Sequence, residues 1–186
     1  ITYTVDFSDA IEDNNEGNPM GFYTYSFSTG PVIDTMEMSG HVIAAENLEP
    51  VKGMLVGLYR ADSTYDDSLF RTKSFVRVSR TNGSGQFTIK GIAPGKYRIF
   101  ALNDGDGDYR FSQKSEAIAF DTTIYIPTSK PDLRMDTCWR DSIYYDSIRV
   151  VPYTHYFPDN IVLRSFLEGK PDLHLLKTER LEPDWF

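Results

Sequence analysis

The feature that most constrains this chain is its period of two. Apolar and polar residues alternate in residues 2–7, 22–28, 36–43 and 53–59, and again in 75–78, 86–89 and 97–102. The pattern continues in 117–120, 123–126, 147–151 and 161–164. These runs are short and rich in β-branched and aromatic residues, which fits strands with one buried face. No segment carries the 3.6-residue apolar stripe of an amphipathic helix. Turn formers separate the runs: Asn82-Gly83-Ser84-Gly85, Ala93-Pro94-Gly95 and Asn103-Asp104-Gly105. Many short strands at this spacing predict an all-β sandwich.

Composition narrows the functional classes. Hydrophobic residues make up 40% of the 186, enough for a packed core and too many for a disordered chain. The formal charge of −8 argues against a general binder of nucleic acid or anionic membrane, since phosphates would be repelled. No apolar run reaches the ~18 residues that span a bilayer as a helix. The single cysteine, Cys138, excludes an internal disulfide framework and a thiolate-rich zinc site. The sequence starts at Ile1 inside an alternating run and ends on Asp184-Trp185-Phe186, so it reads as a segment of a longer chain, with any targeting signal outside it.

Two composition breaks divide the chain. At Ser28-Thr29-Gly30-Pro31, the Gly-Pro step ends a strand. Residues 1–30 offer too few strands to bury a core and read as the last strands of a preceding domain. A softer break lies at Pro127-Thr128-Ser129-Lys130-Pro131-Asp132. Beyond it, Trp139-Arg140-Asp141-Ser142-Ile143 and Tyr145-Asp146-Ser147-Ile148 echo one another, as in an extended arm or hairpin at the sandwich edge. The expected division is 1–30, a central sandwich at 31–127, and a β extension at 128–186 leading to a following segment.

Several motifs in the central part resemble a known family. They are Ser39-Gly40-His41-Val42, the run Glu-Pro-Val-Lys-Gly-Met-Leu-Val-Gly-Leu-Tyr at 49–59, Gly-Ser-Gly-Gln-Phe-Thr-Ile at 83–89, and Ile-Ala-Pro-Gly-Lys-Tyr-Arg-Ile-Phe-Ala at 92–101. In this order they resemble the carboxypeptidase regulatory-like domain. That resemblance implies a transthyretin-like (prealbumin-like) sandwich akin to the B-type repeats of surface adhesins, and no peptidase activity. Residues 10–19 followed by Tyr25-Ser26-Phe27-Ser28-Thr29-Gly30 resemble the end of a bacterial Ig-like domain of the type named after S-layer protein A. The pair is similar to surface-exposed, lipid-anchored proteins of Bacteroidetes. What it implies is a cell-surface or periplasmic, outer-membrane-anchored location.

The strongest site candidate is Asn103-Asp104-Gly105-Asp106-Gly107-Asp108, with Glu116 downstream. Asp104, Asp106 and Asp108 at alternate positions match the start of a helix-flanked Ca²⁺ loop, and hard cations take such oxygens. The pattern then departs: Tyr109 stands where that loop has glycine, Ser115 holds its twelfth position, and no helices flank it. The segment reads either as a Ca²⁺ loop at the sandwich edge or as a solvated turn. Without a cation, three crowded carboxylates repel one another.

Other candidates are weaker. Lys52, Lys90 and Lys96 with Asn160 and Glu116 contain the groups of a Lys–Asn isopeptide bond but form no motif for one. His41, His155 and His174 lack metal-site spacing, and Ser39 and Ser84 lie outside any G-x-S-x-G elbow. Cys138 beside Trp139 reads as a packed side chain. No pair of carboxylates is singled out for glycosidase chemistry. Twelve Tyr, twelve Phe and two Trp exceed what a sandwich core needs. Tyr144, Tyr145, Tyr153, Tyr156 and Phe157 in the arm could stack on sugars or anchor a protein, or cover the sandwich end. The reading is a non-catalytic structural or adhesive module, not an enzyme, contacting neighbouring domains of its own chain. The rival is an accessory carbohydrate- or protein-binding domain of a surface glycan-handling system, with a glycan or another envelope protein as partner.

Overall fold

The alternating runs become strands. A computed structural model of the chain describes residues 1–7, 10–18, 20, 23–139 and 145–169. In order, the strands are β1 (Thr2–Asp6), β2 (Thr24–Ser28), β3 (Met36–Ala44), β4 (Leu55–Arg60), β5 (Arg77–Arg80) and β6 (Gln86–Ile92). They continue as β7 (Tyr97–Leu102), β8 (Ala117–Phe120), β9 (Thr128–Trp139), β10 (Tyr145–Phe157) and β11 (Ile161–Leu167). One turn of helix, α1 (Leu69–Thr72), lies between β4 and β5. Four residues are too few to show a helical stripe, which is why the sequence pattern misses it.

Seven strands form one sheet in the order β5-β4-β7-β8-β11-β3-β6. Strand β11 joins its halves, antiparallel to β8 and parallel to β3. The inner faces of the halves meet over a core of Met38, Val42, Val56, Leu58, Phe87, Ile89, Ile99, Ala101, Ala119, Ile161 and Leu163. These are every-second residues, as the period required. The architecture is an all-β sandwich. Gly40 sits opposite Ile161 in the parallel pair. A Cβ there would lie 2.1 Å from the Ile161 carbonyl oxygen, so only glycine lets β11 approach this closely.

A second apolar cluster lies on the outer face of β4, β7 and β8. Tyr59, Leu102 and Ile118 are covered there by Phe70 of α1 and Phe111. Phe70 stacks on Phe100 at 4.9 Å and on Phe111 at 5.6 Å. Phe75 lies directly over Gly57, where a Cβ would fall 2.1 Å from its ring. Strand β4 is therefore buried on both faces, which explains its unbroken apolar reading Leu-Val-Gly-Leu-Tyr. Tyr59 donates to the Lys73 carbonyl at 2.6 Å, and burial pushes its phenol up to about 12.

The structure departs from the sequence expectations in three places. Residues 123–126 form no strand and make only a bridge, Tyr97 to Tyr125. Strand β9 begins at Thr128 and runs through Pro131, where a break was expected. Proline is tolerated because, among the described residues, β9 pairs only with β10 and so is an edge strand. The sheet also does not close within 31–127, since it takes β11 from 161–167. Strands β9 and β10 form the expected arm, a two-stranded hairpin. Strands β1 and β2 form a second separate hairpin. It is pinned to the sandwich through Arg77, which donates from Nη2 to the Thr2 carbonyl and from Nε to the Gly91 carbonyl at 2.8 Å.

Candidate functional site

The acidic loop follows β7 and is held by its own carboxylates. Asp104 accepts the N–H groups of Gly107 at 2.8 Å and Tyr109 at 3.1 Å. Tyr109 adopts φ 61°, a left-handed conformation, so the chain turns sharply with tyrosine where a Ca²⁺ loop has glycine. Asp106 accepts from the Gln113 side-chain amide at 2.9 Å, the Ser112 hydroxyl at 3.1 Å and the Asp108 N–H at 3.2 Å. Gln113 first, then the Asp108 N–H, hold its carboxyl below the ordinary range. Asp104, Asp106 and Asp108 each bring a carboxylate oxygen within 4.8 Å of the others.

Glu116 plays a different part. It is buried, and its carboxylate accepts three backbone N–H groups: Gly105 at 3.3 Å, and Ser112 and Gln113 at 3.1 Å each. It ties both ends of the loop to β8 and stands outside the aspartate group. Sequence order alone pointed to Glu116, but only its burial reveals that it is an internal anchor.

The remaining sequence candidates are dispersed. Lys52 and Lys96 are exposed and Lys90 is half-buried, while Glu116 is occupied by backbone N–H groups. His41 lies exposed on β3. Cys138 is a half-buried free thiol on β9. Ser84 sits in the turn that the Asn82 side chain closes by accepting from the N–H groups of Ser84 and Gln86 at 2.9 Å each. His174, Tyr144 and the side chain of Tyr145 lie outside the described residues.

His155 does have a defined setting at the base of the arm. Its Nε2 lies 2.9 Å from Asp159 and its Nδ1 3.2 Å from Asp132. Asp159 chiefly, then Asp132, raise its pKa above the ordinary imidazole value. Its ring stacks on Phe157 at 4.3 Å. Tyr153, Tyr156 and Phe157 are half-buried here, so the described arm aromatics fill the arm's base.

The exposed aromatics stand elsewhere, on the β1–β2 hairpin, and sequence reasoning missed them as a surface. One face of this ribbon holds Thr2, Thr4, Thr24, Ser26 and Ser28; the other holds Ile1, Tyr3, Val5, Phe7, Tyr23, Tyr25 and Phe27. The sandwich takes the polar face. Thr2 is 1% exposed and accepts the Asp34 N–H at 2.8 Å, and Gly91 lies against Thr4. The aromatic face points outward, with Tyr25 at 53% and Phe27 at 41% exposed. Its rings stack on each other, Tyr3 on Phe27 at 5.4 Å and Tyr25 on Phe27 at 6.1 Å. A further groove of about 400 Å³ lies on the outer sheet face, where Phe70, Phe100 and Phe120 meet Arg71, Arg98 and Asp121. Among the described residues, no helix is long and apolar enough to cross a membrane.

No protein-family model matches the sequence. No curated protein matches it. Among solved structures, the chain is similar to the T6 backbone pilin of serotype M6 Streptococcus pyogenes, which has a modular three-domain structure decorated with variable loops and extensions. The two are 13% identical, with a TM-score of 0.31 over 74% of this chain and 32% of the pilin chain.

Proposed function

We propose that this chain is a non-catalytic structural or adhesive module of a multidomain cell-envelope protein, a carboxypeptidase regulatory-like sandwich that joins neighbouring modules. One observation carries the reading: the β1–β2 ribbon presents Thr and Ser to the sandwich and its Tyr and Phe side chains outward. A two-stranded ribbon is at best marginally stable in water, and an aromatic face on one is a buried face in the assembled molecule. The ribbon is then the closing hairpin of a preceding Ig-like module, and its aromatic side belongs to that module's core. Glycan binding fits this face less well, because its rings already stack on one another rather than offering free faces to a sugar.

The test compares this chain with a longer form that includes the preceding segment. Tyr25→Ser and Phe27→Ser should leave the melting temperature of the 186-residue chain unchanged and lower that of the longer form by several degrees. An equal effect on both sinks the reading. Surface exposure is tested separately, by labelling intact source cells with a membrane-impermeant amine reagent.

The acidic loop supports a second, separable proposal: Asp104, Asp106 and Asp108 hold Ca²⁺. The support is their approach to within 4.8 Å and the sharp turn at Tyr109. Glu116 would shape the loop rather than ligate the ion. Ca²⁺ should raise the melting temperature and EDTA reverse it, with the shift lost in Asp106→Ala. No shift at millimolar Ca²⁺ makes the loop an ordinary turn.

A further inference from the structure

The β9–β10 arm has two unlike faces. One carries Lys130, Asp132, Arg134, Asp136, Tyr153, His155 and Phe157, and it covers itself. The Arg134 guanidinium lies over the Tyr153 ring and pairs with Asp136, and Lys130 lies over Phe157. The other face is built from the opposed pairs Leu133–Pro152, Met135–Val150 and Thr137–Ile148. Leu133 is 65% exposed, Met135 78%, Val150 64% and Ile148 57%. No charged residue interrupts this face between positions 129 and 137 or 148 and 156 on its alternating register.

We propose that this face is a self-association surface, on which the arms of two copies of the chain stack face to face. Three observations select a second copy as the occupant. First, this face carries no charged residue, so a second copy of it is met without burying an unpaired charge. Second, its apolar pairs lie in two rows about Met135–Val150, so a two-fold axis through the centre places like rows against like and gives a closed pair. Third, the area suffices. The large side chains with Thr137 and Pro152 expose on the order of 500 Å² per copy, so pairing removes about 1,000 Å² from water, the lower bound of a specific interface. Stacking also supplies the second layer that a lone two-stranded ribbon lacks.

The experiment is sedimentation velocity on the 186-residue chain from ~1 to ~200 µM, a range that brackets weak association. The wild type should shift from monomer to dimer across this range. Met135→Glu/Val150→Glu and Met135→Lys/Val150→Lys should each stay monomeric. Both positions are more than half exposed, so both variants should melt as the wild type does. Mixed together, the acidic and basic variants should form a heterodimer that 0.5 M salt, at roughly a 4 Å screening length, dissolves. Dimerisation of wild type, its loss in each variant and its return on mixing support the proposal. A wild type that stays monomeric overturns it, as does a dimer that persists in the variants or a mixture that stays monomeric.

Discussion

Replacing Arg77 by methionine tests how the N-terminal ribbon is held. The guanidinium bridges two elements: Nη2 reaches the carbonyl of buried Thr2, and Nε reaches Gly91 at 2.8 Å. Methionine keeps much of the stem and removes both bonds, together with a local, exposed one from Nη1 to the Val76 carbonyl at 3.1 Å. A hydrogen bond involving a charged group contributes about 1.5–3 kcal/mol, so two contribute at most about 6 kcal/mol. Arg77 is half-exposed and water replaces part of what is lost, which reduces the expected cost to about 2–3 kcal/mol. Only the bond to Thr2 crosses to the ribbon, the other tying β5 to β6, so about 1–2 kcal/mol of that cost should fall on ribbon docking. Native-state hydrogen exchange reads it directly. Amides of β1 and β2 should lose roughly 5- to 30-fold in protection, at about 1.4 kcal/mol per tenfold, and more than those of Val42, Ile99 and Leu163. Unchanged ribbon protection would refute the pinning role. Equal loss in ribbon and core would refute the view that the ribbon docks as a separate unit.

Three further outcomes are expected. Gly40→Ala should destabilise the sandwich by about 3 kcal/mol or more in urea unfolding, because the new Cβ meets the backbone oxygen of Ile161, whereas Gly105→Ala, with open space around it, should be nearly neutral. Glu116→Ala should cost about 2–4 kcal/mol by the same assay and raise exchange at Gly105, Ser112 and Gln113, since three N–H groups lose their acceptor. The His155 clamp should depend on pH: its raised pKa makes the contribution fully present below 6.5 and lost as pH rises through the folded value. At the acid end, Asp132 is held low by the Leu133 N–H and by His155, so the clamp should survive below 3.8 until that lowered value is passed. An NMR titration of the His155 ring checks this, and a midpoint at or below 6.5 contradicts it.

The strands were legible because a half-buried strand writes its faces into alternate residues. The misses have physical causes. Pro127 and Pro131 read as a break, yet among the described residues β9 pairs only with β10, and an edge strand tolerates proline. Residues 123–126 alternate, but only Tyr125 finds a partner strand. The acidic loop was visible as three alternate aspartates, whereas the anchoring role of Glu116 depends on burial that no local pattern encodes. The β1–β2 ribbon is the most instructive case. Alternation separated its Thr/Ser side from its aromatic side, but it could not say which side the sandwich takes. Hydrophobicity alone points the aromatics inward; Thr2, Asp34 and Arg77 make the polar side the docked one.

The central claim is that the aromatic face of β1–β2 is buried in the longer protein. The most direct measurement is the maleimide labelling rate of Tyr25→Cys, with Ser63→Cys as an exposed control and Cys138 replaced by Ser in both. In the 186-residue chain the two sites should react at similar rates. In the longer protein Cys at 25 should react at least tenfold more slowly than Cys at 63, as protection within a folded module demands. Equal rates in both forms would contradict the account, because the aromatic face would then be an open surface.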